Sequence, residues 1–196
     1  MAEKVDRRVR KTKAQLRAGL ARLMQKKSIK EITVKELVEE VDINRSTFYL
    51  HYTDIYQMLE SIEAELMEEI THLVADYPLD PLNNKESSYP FIEQIFTILD
   101  HNKDICIALL GKNGDMAFVN RIEKLIADTV LHRLSIRLPK DNRDIEYAYA
   151  FCLNGCVGMI KTWLSSENQE STQHMAALTH KLIDNTTHMY LEQALR

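Results

Sequence analysis

Residues 33–51, TVKELVEEVDINRSTFYLH, leave the backbone few choices. Thr33 followed three places later by Glu36 has the form of a capping box, in which hydroxyl and carboxylate each satisfy the other's orphaned backbone N–H. Val34, Leu37, Val38 and Val41 recur at helical spacing, so one face is apolar while Lys35, Glu36, Glu39 and Glu40 point away from it. Asp42, Ile43 and Asn44 then interrupt the helix. Aspartate tolerates a left-handed backbone better than most residues with a Cβ, and Asn44 can cap a second helix over residues 45–51. Two short helices joined by a tight turn, with an earlier helix behind them, form a helix-turn-helix.

The earlier helix is expected over residues 7–27, where Leu16, Leu20, Leu23 and Met24 make an apolar stripe. Arg7, Arg8, Arg10, Lys11, Lys13 and Arg17 cluster at its start, and KKSIKEI breaks its pattern. Downstream, Thr53 is expected to cap a helix running to about Tyr77, striped by Leu59, Ile62, Leu66, Ile70 and Leu73 and ended by YPLDPLNN. Further helices are expected over 88–101, 103–110, 115–138, 144–166 and 172–194, with GKNGD and LPKDNRD as breaks. With five glycines and four prolines in 196 residues, and no period-2 alternation, the chain reads as all-α. The last two helices are apolar on more than one side, with Leu178, Leu182 and Met189 on one stripe and Ile183 and Tyr190 on another. Such helices must bury both sides, and a second copy of the chain is the expected cover.

Charge narrows the function. The net charge of −4 conceals 13 Lys+Arg against 7 Asp+Glu in residues 1–53, leaving 12 and 22 of the chain's 25 and 29 for the remainder. A basic head on an acidic body suits a module that meets a polyanion at one end. No apolar run long enough for a membrane span is present, and the N-terminal stretch lacks the apolar core of a signal peptide. Three cysteines, an odd number with two of them close together in one helical stretch, argue against a disulfide framework and suit a reducing cytoplasm. Cys152 and Cys156, four apart, could share a helix face as metal or redox ligands, but with no histidine or acid to complete a set they read as small buried hydrophobes. Gly155 and Gly158 in the same helix suggest close approach of another helix, such as that of a dimer mate. No nucleophile–base pair, phosphate loop or metal motif is legible, so no catalytic residue, metal or cofactor is assigned and an enzyme is not expected.

Each residue type in the second short helix suits a DNA surface. Arg45 can reach a guanine edge or a phosphate; Ser46 and Thr47 can hydrogen-bond base edges, and the Thr47 methyl can touch a thymine methyl. Tyr49 and His51 can meet phosphates, as can Lys35 and the helix start at Thr33, and Asn44 is counted with the DNA-facing set. Phe48 points back into the core, and Tyr52, counted with the DNA-facing set, lies on the seam with the next helix.

The run TVKELVEEVDINRSTFYLHYTDIYQMLESI resembles the N-terminal DNA-binding domain of tetracycline-repressor-like (TetR/AcrR) regulators. Thr47, Phe48, Tyr49, His51 and Tyr52 match the family's Thr-apolar-Tyr-x-His-aromatic run in order, and HNKDICIALLGKNGDMAFVNRIEKLI looks like one variety of its C-terminal region. Two positions depart: Asp42 stands where glycine is usual, and Ile55 where a lysine commonly meets a phosphate, which removes one expected contact. The resemblance implies residues 1–53 as a helix-turn-helix DNA-binding domain and 54–196 as a helical bundle for effector binding and dimerisation. It implies a homodimer through the last two helices on double-stranded operator DNA, a repressor relieved by a small-molecule or protein effector. Candidate pocket residues are Leu59, Ile62, Glu63, Leu66, Phe91, Ile95, Phe96, Leu99, Met116, Phe118, Phe151, Met159 and Trp163. The alternative keeps the fold but acts mainly through a protein partner, with DNA binding weak or partner-dependent.

Overall fold

The computed structural model describes residues 2–76, 88–137 and 143–194, with side chains described over 7–76, 89–128, 144 and 146–186. The expected loop YPLDPLNN, most of LPKDNRD, and the side chains of Met189 and Tyr190 lie outside the described residues. All regular structure among the described residues is helical: α1 (Ala2–Lys26), a 3-10 turn (Ile29–Glu31), α2 (Val34–Glu40), α3 (Arg45–Tyr49), α4 (Ile55–Asp76), α5 (Ser88–His101), α6 (Lys103–Leu110), α7 (Met116–Arg137), α8 (Arg143–Ser165) and α9 (Thr172–Ala194). The all-α expectation holds, and most boundaries fall within a residue of it. Helix α1 instead starts at Ala2, because nothing in its first residues stops a helix.

Contacts divide the chain into two compact units, Met1–Leu66 with Asn102–Val119, and Met67–His101 with Asn120–Arg196. Helices α4 and α7 contribute to both. This division by compactness differs from the functional boundary expected at residues 53 and 54.

In the first unit α1 packs against α6 and α2, and α2 against α3. The expected stripe Leu16, Leu20, Leu23 and Met24 is buried, together with Leu37, Val38, Phe48, Met58, Ile105 and Leu109. Each such side chain contributes about 1.5–3 kcal/mol by leaving water. Val34 and Val41, at the ends of the α2 stripe, are half-buried. Close packing of α2 on α1 needs Gly19, where an added Cβ would collide with Val41 Cγ1. Arg17 is held within this unit, donating to Glu65 Oε2 at 3.3 Å and to Asn102 Oδ1 at 2.7 Å.

The second unit packs α9 against α5 and α8. Its core holds Ile70, Leu73 and Val74 of α4, Phe91, Ile92 and Phe96 of α5, Trp163 and Leu164 of α8, and Met175 and Ala176 of α9. The Phe96 and Trp163 rings meet edge to face with centroids 5.2 Å apart, and the indole N–H donates to Glu170 O at 2.8 Å. Burial of this tryptophan therefore leaves no donor unmet.

Candidate nucleic-acid interface

The geometry of α2, the turn and α3 follows from local chemistry. Thr33 Oγ1 accepts from the Glu36 N–H at 3.2 Å, while Glu36 Oε2 accepts from the Thr33 N–H at 3.0 Å. Lys27 Nζ sits 2.5 Å from Glu36 Oε1. The lysine partner, then the bonds from Thr33, hold the Glu36 carboxyl down at about 2. The start of α2 is thus occupied by the protein's own carboxylate. Thr33 spends its hydroxyl and its N–H on the capping box, so the phosphate expected there has a competitor already in place. Lys35 is exposed, 3.9 Å from Glu39 one turn on.

Asp42 carries the turn with φ of 52°, the left-handed conformation that the sequence position requires. Asn44 Oδ1 then accepts from the Ser46 N–H at 3.0 Å and from Ser46 Oγ at 3.1 Å, capping α3. Helix α3 is shorter than the expected 45–51. After Tyr49 the hydrogen bonds tighten, His51 N–H reaching Phe48 O at 2.9 Å, and Leu50 closes the helix with αR dihedrals. The next helix is capped by Asp54, not Thr53: the Gln57 N–H donates to Asp54 Oδ1 at 2.8 Å, while the Thr53 N–H reaches the Gln57 side chain. A carboxylate is the better acceptor at a helix start.

Phe48 is fully buried and fixes which way α3 faces. Arg45, Ser46, Tyr49 and Leu50 are exposed, and their i and i+4 spacing puts them on one face. Thr47 and His51 flank that face, half-buried, and Asn44 is exposed at its start. Tyr52 is a correction to the DNA-facing set. At 6% exposure it is core, its ring tilted against Phe48 at 5.8 Å and under Lys13 Nζ at 5.8 Å. Burial pushes its phenol above the ordinary tyrosine range. Ile55 is likewise buried at the head of α4, serving the core where a lysine would have served a phosphate.

Of the basic head, Arg22 and Lys27 are tied to Glu40 and Glu36 at 2.6 Å and 2.5 Å, and Arg17 to Glu65. Arg7, Arg8, Lys11, Lys26 and Lys30 are exposed.

Against known proteins, residues 86–185 match the family model of the TetR transcriptional regulator C-terminal region, about half of the chain. The chain belongs to the TetR family of regulators. A curated relative of this TetR-family chain, the uncharacterized HTH-type transcriptional regulator YxbF of Bacillus subtilis strain 168, is 19% identical over 180 residues, spanning 91% of this chain and 46% of the relative. The chain thus spans about half the length of the curated relative it matches. Solved structures share the TetR fold: a TetR regulator from Streptococcus agalactiae 2603V (TM-score 0.54, 21% identity, 93% of this chain and 99% of that one), a TetR-family regulator from Streptomyces coelicolor (TM-score 0.57, 18%, 95% and 83%), and the dihydroxyacetone kinase operon activator DhaS (TM-score 0.51, 14%, 93% and 96%).

In this TetR-family chain the pocket candidates fall into both units. Leu59, Ile62, Glu63, Leu66 and Phe118 are buried in the first; Phe91, Phe96 and Trp163 are buried in the second, with Ile95, Leu99 and Met159 half-buried. Met116 and Phe151 are corrections: at 53% and 70% exposure they lie on the outside and line no interior. The sequence reading missed two groups of the second unit. Thr179 Oγ1 on α9 and Tyr149 Oη on α8 are buried with no hydrogen-bond partner among the described residues, and burial pushes the Tyr149 phenol up to about 12. No spacing rule marks such positions, since each depends on what neighbouring helices fail to offer. Cys152 and Cys156 are half-buried, the latter's thiol pushed up to about 11 by burial, which disfavours the thiolate that metal or redox chemistry needs. Among the described residues no cluster of His, Cys, Asp or Glu could hold a metal ion, and no helix is long and apolar enough to cross a membrane.

Proposed function

We propose that the chain acts as a homodimeric repressor that binds double-stranded operator DNA through α3 and is released by an effector bound within residues 54–196. The observation that carries this reading is the two-sidedness of α3: Phe48 is fully buried while Arg45, Ser46 and Tyr49 stand outward together on a capped segment. Arginine and serine read base edges, and a phenol donates to phosphate, so specificity and positioning come from one helical face. Lys35, Asn44, Thr47 and His51 extend the contact, and residues 1–53 carry the net +6 that a phosphate backbone attracts.

The dimer places two such helices about 34 Å apart in successive major grooves. Its support is the outer face of α8 and α9. Tyr147, Phe151, Leu178 and Leu182 are exposed, and a Cβ added at Gly155 or Gly158 would meet nothing within 4 Å. An apolar strip interrupted by bare backbone suits close helix–helix contact with a second copy. Effector release requires only that the effector bind one spacing of the two reading helices better than the other; about 1–3 kcal/mol of difference gives a useful switch. The buried hydroxyl of Thr179, without a hydrogen-bond partner among the described residues, is a group an effector can satisfy.

The burial of Ile55 favours a second reading, in which a protein partner supplies part of the DNA affinity and DNA binding by the chain alone is weak. Fluorescence anisotropy on the DNA upstream of the chain's own gene, across a salt series, separates the two. The repressor reading expects sequence-preferring binding that weakens steeply with salt. Salt-insensitive or absent binding by the purified dimer transfers the function to the partner reading.

A further inference from the structure

We infer that Leu50 is an apolar base-reading residue that selects thymine through its 5-methyl group. The inference rests on the proposed DNA-binding reading and adds to it a second apolar contact, beyond the methyl that Thr47 offers. Leu50 is 79% exposed, more than any other large apolar side chain described. Keeping a leucine in water forgoes the gain of burying it, and its own unit offers it no cover. Its place is specific. It closes α3 with αR dihedrals, so it continues the helical face on which Arg45, Ser46 and Tyr49 stand, one turn beyond Ser46.

The neighbours identify the occupant. An arginine, a serine and a phenol on the same face suit phosphates and the polar edges of bases, and a protein partner seated there would have to bury them with Leu50. On the major-groove edges of DNA, the apolar feature that distinguishes one base from the others is the thymine methyl. A leucine among hydrogen-bonding residues matches a groove floor that is polar except at thymines.

The test begins with selection of duplexes from a random library by the full chain. In the best duplex each thymine is then replaced singly by deoxyuridine, which removes the methyl and leaves the hydrogen-bonding edge intact. The expected result is a loss of roughly three- to fivefold in affinity, the scale of one buried methyl-sized group, at one thymine in each half-site. Leu50→Ala, at an exposed position where folding is not at stake, should bind the thymine and uracil duplexes alike, and Leu50→Met should restore part of the difference. Uniform tolerance of uracil by the unaltered chain, or equal sensitivity in Leu50→Ala, overturns the inference while leaving DNA binding intact. Failure to enrich any duplex overturns DNA binding by the chain alone, and this inference with it.

Discussion

Phe48 and Tyr49 are adjacent in the chain and opposite in placement. One is wholly buried, the other 57% exposed, with their rings edge to face at 5.4 Å. On the proposed reading the phenol oxygen serves a phosphate, so Tyr49→Phe should weaken binding to all duplexes about equally, by roughly 0.5–1.5 kcal/mol for one lost hydrogen bond. Arg45→Ala should instead relax preference at particular base pairs, by about 1–3 kcal/mol where the contact is bidentate. Parallel titrations on matched and mutated duplexes distinguish the two patterns. Much of this residue-level picture was legible in the sequence: Thr33, Glu36, Asp42 and Asn44 do what their side chains dictate, because capping and turn chemistry are local. Tyr52 and Phe151 were not. Whether an aromatic is covered depends on partners distant in the chain, and no local signal marks the exposure of Leu50.

At the scale of the helix, α2 offers a direct check on the network that sets its pose. The Glu36 carboxyl lies at about 2 in the folded chain against an ordinary 4.5. A depressed folded value means the stabilisation is present above the ordinary value and is lost as pH falls through the folded one. The stability difference between the parent and Glu36→Gln, read from thermal melts, should therefore be constant above about pH 5 and shrink steadily toward pH 2. A difference that is undiminished at pH 2 would show that the charge is not what matters there. The turn offers a second check. Asp42 holds a left-handed backbone that costs a residue with a Cβ about 1 kcal/mol or somewhat more, whereas glycine adopts it freely but loses more entropy on folding. Asp42→Gly is expected to raise stability by up to about 1 kcal/mol in urea melts, with no change in the cap bonds of α3. Helix boundaries were legible to within a residue where a cap marks them, as at the starts of α2 and α9. They slipped where two adjacent residues compete for one cap, as Thr53 and Asp54 do, since the choice turns on which acceptor reaches the Gln57 N–H.

For the whole molecule, the sequence pattern identified the all-α class and the apolar excess of the last two helices. It could not show how α9 divides its residues. Met175, Ala176 and Thr179 turn inward, while Leu178 and Leu182 remain outside. On the dimer reading a single charge on the outer face of α8 should be enough to disrupt assembly. Phe151→Asp is expected to shift sedimentation from dimer to monomer at micromolar concentration, with helix content unchanged because the position is exposed. DNA affinity should fall with it, since two linked reading helices bind far more tightly than one. A footprint on the duplex selected by the full chain tests the central claim most directly. Two protected half-sites of related inverted sequence are expected, centred about one helical turn, roughly 10 base pairs, apart, both weakened in Arg45→Ala. Protection that is absent, or that survives unchanged in Arg45→Ala and Tyr49→Phe, would contradict it.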